Sequence, residues 1–137
     1  MSFTVRPIED ADIDSVIRLW TEAGVTRPWN DPRRDIEFCR KGSHSTILVG
    51  LNAGAIVTTV QVGEDGHRGW VYYVAVQPEL QGSGMGRRIM QAAEDWLRAR
   101  GIWKLNLLVR ADNLKVIEFY QRLGYRDTSV VCLQKEI

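Results

Sequence analysis

Three glycines and a cation stand together in Gln81-Gly82-Ser83-Gly84-Met85-Gly86-Arg87, a pattern suited to holding an anion. The run follows an apolar segment, Trp70-Val71-Tyr72-Tyr73-Val74-Ala75-Val76, which reads as a strand. It opens a segment whose apolar residues Ile89, Met90, Ala92, Ala93, Trp96 and Leu97 recur with helical spacing. A strand, a glycine turn and a helix start bring unpaired backbone N–H groups and the positive end of a helix dipole to one place. Glycine lets that backbone approach a bulky phosphate with no Cβ in the way. Arg87 falls in the first helical turn, where the dipole disfavours a cation. A bound phosphate removes the conflict.

The spacing excludes two common phosphate sites. A P-loop requires Lys and then Ser or Thr after its last glycine, and Arg87-Arg88 stands there instead. The dinucleotide fingerprint Gly-x-Gly-x-x-Gly fails in both registers, because Arg87 or Ile89 occupies the third glycine position. The run resembles the pyrophosphate loop Gln/Arg-x-x-Gly-x-Gly/Ala of the GNAT family of N-acetyltransferases. A second stretch carries the same resemblance: Val109-Arg110-Ala111-Asp112-Asn113, then residues 114–118, then Phe119-Tyr120-Gln121-Arg122-Leu123-Gly124-Tyr125. It is similar to the family pattern of a strand end, an Asn, and a helix closing with Phe-Tyr-x-x-x-Gly-Phe/Tyr. The two motifs stand in the family's order, separated by one helix and one strand.

At 137 residues the chain reads as a single domain over 1–137 with one sizeable core. Hydrophobic residues make up 45% and charged residues 26%, an ordinary globular balance. A net charge of +1 gives no field to recruit nucleic acid, and no apolar run is long enough to span a membrane. Met1-Ser2-Phe3 begins a strand pattern rather than a signal peptide. Cys39 and Cys132 lie far apart without a metal-like spacing, so no metal is expected and free thiols in a bacterial cytoplasm are.

Several elements must position these motifs. Residues 3–6 form a strand. Asp10 or Asp12 caps a helix carrying Ile13, Val16, Ile17, Leu19 and Trp20 inward. Arg27-Pro28-Trp29-Asn30-Asp31-Pro32 breaks it, and Asp31 with Pro32 starts a second helix that runs to about Arg40. Strands at 46–51 and 55–62 flank the hairpin signal Asn52-Ala53-Gly54. The glycine helix ends before Gly101. A strand at 105–109, a helix at 114–123 and a last strand at 125–133 follow. The order β-α-α-β-β-β-α-β-α-β is the layout of the GNAT fold, an α/β (α+β) mixed sheet with helices on both faces.

The resemblance implies that acetyl-coenzyme A is the co-substrate, with its pyrophosphate on residues 81–87. Backbone amides of Gly82, Gly84 and Gly86 are the donors, and Gln81, Ser83, Met85 and Arg87 complete the loop. Val76 matches the position that pairs with the pantetheine arm, and Val74 the position whose N–H holds the acetyl carbonyl and its oxyanion. Tyr120 matches the acid that protonates the departing thiolate, and Asn113 a polar contact to the cofactor arm. A core aromatic on the Ile117, Tyr120, Leu123 face is the structural alternative for Tyr120.

The chain departs from some relatives in its base. Trp70 stands where those carry a Glu, and residues 69–76 hold no carboxylate. Glu64, Asp65, His67 or a water relay could act, and His67 has the right ordinary pKa. A solvated loop histidine is the alternative. The run 27–32, with residues 65–69 and Tyr72-Tyr73, resembles the YpeA-like bacterial branch of the family. Trp29 and Tyr72 are expected beside the acceptor, although core packing explains Trp29 equally well.

The implied reaction moves an acetyl group to a primary amine of a small molecule or of a peptide or protein N-terminus. A non-catalytic acyl-coenzyme A sensor competes with it, suggested by the missing carboxylate. A nucleotide-binding regulatory domain is disfavoured by the failed P-loop and dinucleotide spacings. No nucleic-acid or membrane partner is expected, and the expected oligomer, if any, is a homodimer.

Overall fold

Branched residues Ile47, Val49, Val57, Thr58, Thr59, Val60 and Val62 form the centre of a sheet, because their side chains pack well on a pleated surface. The computed structural model describes residues 2–137. The chain divides into two units, the first running through Leu107 and the second Leu108–Ile137.

The first unit is built on five strands: β1 Phe3–Pro7, β2 Ser45–Asn52, β3 Ala55–Glu64, β4 Gly69–Val76 and β5 Leu105–Asn106. They lie in the order β1-β2-β3-β4-β5. Neighbours are antiparallel except β4 and β5, which run parallel and pair only at Gly69 with Leu105 and Trp70 with Asn106. The β2–β3 turn is Ala53-Gly54, with φ of 52° and 83°. Two successive left-handed residues suit the right-handed twist of a two-residue hairpin.

Two helices, α1 Ile13–Glu22 and α2 Pro32–Cys39, cover one face of this sheet. Val16, Leu19, Trp20, Ile36 and Cys39 from the helices bury against Ile47, Val49 and Ala75. Asp31 caps α2 by accepting from Arg34 N at 3.2 Å, and Pro32 is its first residue. Neither Asp10 nor Asp12 caps α1 through its side chain; both lie in a 3-10 turn before it. Asp12 is taken instead by Arg6 at 2.6 and 3.1 Å and by the Glu9 N–H at 2.8 Å. Those bonds, the Arg6 bond above all, hold its carboxyl below the usual range.

Helix α3, Met85–Arg98, packs on β3 and β4 and buries Met85, Ile89, Met90, Ala93 and Leu97. A Cβ at Gly69 would stand 2.4 Å from Leu97 Cδ1, so close packing on α3 requires that glycine.

The second unit contains α4, Leu114–Arg122. Asn113 accepts from Val116 N at 3.4 Å at its start, and Gly124, with φ of 96°, follows its end. The strand expected over 105–109 is confined to Leu105–Asn106, where its ladder with β4 stops. The strand expected over 125–133 is absent. Asp127 accepts the Ser129 N–H at 2.7 Å, and Ser129 has φ of 57°. A local side-chain bond and a left-handed residue break the extended run there.

Candidate functional site

Beyond Trp70, β4 has no β5 partner among the described residues, while β3 continues beside it. That edge can receive an extended chain as an added strand. Val74 and Val76 lie on this part of β4, both half-buried. A short 3-10 turn, Pro78–Leu80, leads from β4 to the glycine run.

Gly82 and Gly84 have φ of 83° and 90°, which fixes them as glycines by conformation alone. Gly84 is the N-cap of α3 and supplies no side chain to its first turn. The earliest bond back to this cap is Arg88 N to Gly84 O at 3.1 Å, so the N–H groups of Met85, Gly86 and Arg87 precede the helical ladder. A Cβ at Gly82 or Gly84 would meet nothing within 4 Å, so open space lies over the turn. The first turn of α3 contains no acidic residue. Arg88 lies over the Phe3 ring at 5.1 Å, and Arg87 is exposed with no carboxylate partner among the described residues. Gln81 and Ser83 are exposed, the Ser83 hydroxyl donating to Leu80 O, and Met85 is buried as the first core residue of α3. Open space, uncapped N–H groups and a free cation fit a pyrophosphate.

The register of β3 on β4 slips between Thr59 and Gln61, so Tyr73 and Val74 together oppose Val60. This is a β-bulge, and Tyr73 takes φ of 51° in it. Two buried hydroxyls hold the bulge: Thr59 donates to Tyr73 O at 3.0 Å and Thr58 to Ala75 O at 2.7 Å. Trp20 Nε1 donates to Thr59 Oγ1 at 2.8 Å, and the Trp20 ring stacks on Tyr73 at 3.8 Å and 6°. The extra residue changes which face the strand presents. Gly69 faces Leu97 of α3, whereas Tyr73 and Ala75 face the core beneath α1 and α2. The Tyr73 hydroxyl donates to Asp35 Oδ2 on α2 at 2.6 Å. Burial first, then that bond, pushes the Tyr73 phenol above its ordinary range.

Tyr72 stands opposite Gln61, and Gln61 opposite Ile47, so the register puts Tyr72 on the same face as Tyr73. Tyr72 is 47% exposed and Trp29 70% exposed, so Trp29 is not a core residue. His67 lies in the β3–β4 turn, where Asp65 Oδ1 accepts its N–H at 2.9 Å and its Nε2 lies 3.3 Å from Arg68 Nη2. Val74 is five residues along β4 from Gly69, about 16 Å at strand rise, so the structure does not bring His67 and Val74 together. In the second unit Asn113 is exposed and engaged as the cap of α4. Tyr120 is buried, with edge contacts to Phe119 and Tyr125 at 5.0 and 5.8 Å. Burial pushes its phenol up to about 12, which keeps it protonated at neutral pH.

Residue spacing does not show the β4 bulge or the Tyr73–Asp35 contact that it makes. Tyr72 and Tyr73 are adjacent in a strand that also carries Trp70, and two adjacent side chains share one face only across a bulge.

The acetyltransferase (GNAT) family matches residues 13–125. Acetyltransferase YE1169 of Yersinia enterocolitica is 42% identical over 135 residues, covering 97% of this chain and 94% of its own length. Among solved structures, AAC(6')-Iy in complex with a coenzyme A bisubstrate analogue superposes with a TM-score of 0.85 at 13% identity, covering 100% and 99% of the two chains. The ribosomal-protein-S18-alanine N-acetyltransferase of Escherichia coli gives 0.80 at 23% identity, covering 93% of this chain and 80% of that one. No helix among the described residues is long and apolar enough to cross a membrane, and no group of metal-binding side chains occurs among them. A mixed five-stranded sheet, an uncapped glycine turn and a bulged β4 edge thus accompany a family match over most of the sequence: the chain belongs to the GNAT acetyltransferase family and is an acyltransferase.

Proposed function

We infer that residues 1–137 act as one N-acetyltransferase domain, using acetyl-coenzyme A to acetylate a primary amine by direct attack. The acceptor is a small molecule or the N-terminus of a peptide or protein. The observation that carries this reading is the α3 N-terminus, where the N–H groups of Met85, Gly86 and Arg87 lie under open space beside an unpaired guanidinium. Acetyl-coenzyme A supplies an acetyl group activated as a thioester. Relatives of this fold have been solved with coenzyme A or its analogues, among them AAC(6')-Iy and the PaiA N-acetyltransferase of Thermoplasma acidophilum.

Each residue has a separate task. The turn 81–87 holds pyrophosphate through backbone N–H groups and Arg87. The β4 edge at Val76 pairs with the pantetheine arm, and the Val74 N–H stabilises the oxyanion. Tyr120 donates a proton to the departing thiolate, and Asn113 contacts the cofactor arm. The tasks of Tyr120 and Asn113 rest on the motif Phe-Tyr-x-x-x-Gly-Tyr and the Asn before it.

Tyr120→Phe tests the chemical half of this reading, since it keeps the ring and deletes only the hydroxyl. General acids contribute on the order of 100- to 10,000-fold, so turnover should fall by that much while coenzyme A affinity stays near wild type. The measurement is thiol release against a mixed library of amines and peptides. Wild-type turnover in a folded Tyr120→Phe enzyme, with chemistry rate-limiting, would transfer the proton to water or another group.

A further inference from the structure

Thr58 and Thr59 are fully buried in the middle of β3, among Val57, Val60 and Val62. Valine has the same branched shape, so packing alone does not call for the two hydroxyls. A hydroxyl taken out of water costs free energy unless it is bonded. Both are bonded, and both to main-chain carbonyls of β4. Thr59 donates to Tyr73 O at 3.0 Å and Thr58 to Ala75 O at 2.7 Å. They reach β4 from opposite faces of the sheet, because neighbouring strand residues alternate. Thr59 lies on the α1 side, where Trp20 Nε1 donates to its Oγ1 at 2.8 Å.

Those two carbonyls fix where two N–H groups point. A trans peptide sets its C=O and N–H on opposite sides, and no cis bond occurs among the described residues. Tyr73 O faces β3, so the Val74 N–H of the same peptide faces away from β3. Ala75 O does the same for the Val76 N–H. The Gln77 N–H donates to Val57 O at 2.8 Å, so the alternation toward β3 holds to the end of β4. Away from β3 lies the edge that β5 leaves unpaired beyond Trp70. The two N–H groups on that edge are the ones assigned above to the oxyanion and to the pantetheine arm.

We propose that Thr59 and Thr58 are positioning residues for acetyl transfer: Thr59 aims and polarises the Val74 N–H through the Tyr73–Val74 peptide, and Thr58 aims the Val76 N–H through the Ala75–Val76 peptide. This rests on the acetyl-transfer reading above. The two hydroxyls have unequal tasks because Thr59 stands in a chain. A hydroxyl has one proton to give and two lone pairs. Trp20 occupies one lone pair of Thr59, and the proton goes to Tyr73 O. Hydrogen bonds in series polarise one another. Electron density drawn to the Tyr73 oxygen leaves the Val74 N–H a better donor. A donor already aimed needs no reorganisation as the oxyanion forms. Thr58 receives no such bond among the described residues, so it sets direction only.

The test uses the full chain and needs no acceptor. Infrared difference spectra of bound acetyl-coenzyme A, labelled with carbon-13 at the acetyl carbonyl, read the Val74 contact, since a hydrogen bond to the thioester oxygen lowers its stretching frequency. Titration calorimetry with coenzyme A reads the pantetheine contact. In wild type the bound stretch should lie below its value free in solution. Thr59→Val should raise it toward that value with coenzyme A affinity unchanged, and Thr59→Ser, which returns the hydroxyl, should restore it. Trp20→Phe should raise it part of the way. Thr58→Val should keep the wild-type stretch and weaken coenzyme A about 2- to 10-fold, the worth of one hydrogen bond. Val62→Ala, a buried truncation on β3 beside Val71, should lower Tm and move neither readout. A wild-type stretch in folded Thr59→Val overturns the task of Thr59; where that variant does not fold, the same result in Trp20→Phe overturns it. Unchanged coenzyme A affinity in Thr58→Val overturns the task of Thr58. A Val62→Ala protein that moves either readout as the threonine variants do overturns both, since loosening of the sheet would then explain them. The parent reading fails differently: wild type then binds no acetyl-coenzyme A, or binds it with the stretch at its free value, and this proposal falls with it.

Discussion

Left-handed backbone occurs on both sides of the candidate site, but for opposite reasons. At the glycine turn, φ values of 83° and 90° fall on Gly82 and Gly84, where the conformation costs nothing and neighbouring atoms leave space. At the bulge, φ of 51° falls on Tyr73, which needs Trp20, Thr59 and Asp35 around it. The first region is set by local chain chemistry and is ready for a ligand. The second is set by tertiary packing and exists only once the sheet and α1 have assembled. Substitutions should therefore separate them: at the turn they cost binding, and at the bulge they cost stability first.

The largest effect is expected from Tyr73→Ala. It removes a half-buried ring stacked on Trp20 and the hydrogen bond to Asp35. Loss of a packed aromatic ring costs about 3–5 kcal/mol in full cores, so about 2–4 kcal/mol is expected at this half-buried site. Denaturant unfolding measures it. A loss under 1 kcal/mol would mean that the bulge is held by its backbone alone. Trp20→Phe keeps most of the stack and deletes one donor, the Nε1–H bonded to Thr59. It should cost about 1 kcal/mol, and the cost should vanish in a Thr59→Val background if that bond carries it. Arg87→Ala is the smallest. Removing an exposed cation from a helix N-terminus should leave the empty protein unchanged or more stable by about 0.3–1 kcal/mol, and should weaken coenzyme A a few-fold. A destabilised empty variant would give Arg87 a structural role.

The same contrast explains what the sequence reveals. Glycine positions, the N-cap Asp31 and the periodicity of α3 act within a few residues, and each is visible as spacing. Tyr73 is not visible that way. Simple alternation from Gly69 would send Tyr73 toward α3, and only the inserted bulge residue sends it toward Asp35, 38 residues away. His67 shows the converse limit. Its chemistry suits a base, but a loop histidine's distance from Val74 depends on how far β4 extends between them. The last strand fails for a related reason. The β-branched and apolar residues Thr128, Val130, Val131 and Leu133 mark a chain able to pair, whereas pairing needs a partner, and Asp127 with Ser129 forms a local turn instead. Asn113 lies between these cases: the resemblance implies a cofactor contact for it, and the structure shows its side chain accepting from Val116 N as the cap of α4.

The central claim is that the α3 N-terminus binds the pyrophosphate of coenzyme A, and two valines test it on one helix. Gly84 and Gly101 flank α3 with φ of 90° and 78°, and a Cβ at either meets no protein atom within 4 Å. Valine should therefore strain the backbone alike at both, by about 1–2 kcal/mol for a left-handed residue. Only Gly84→Val places side-chain atoms over the open turn. Calorimetric titration of coenzyme A should show at least a tenfold loss for Gly84→Val, about 1.4 kcal/mol or more. Gly101→Val, with a similar fall in Tm, should bind like wild type. Equal coenzyme A affinity in the two folded variants would contradict the account and remove the pyrophosphate from this turn.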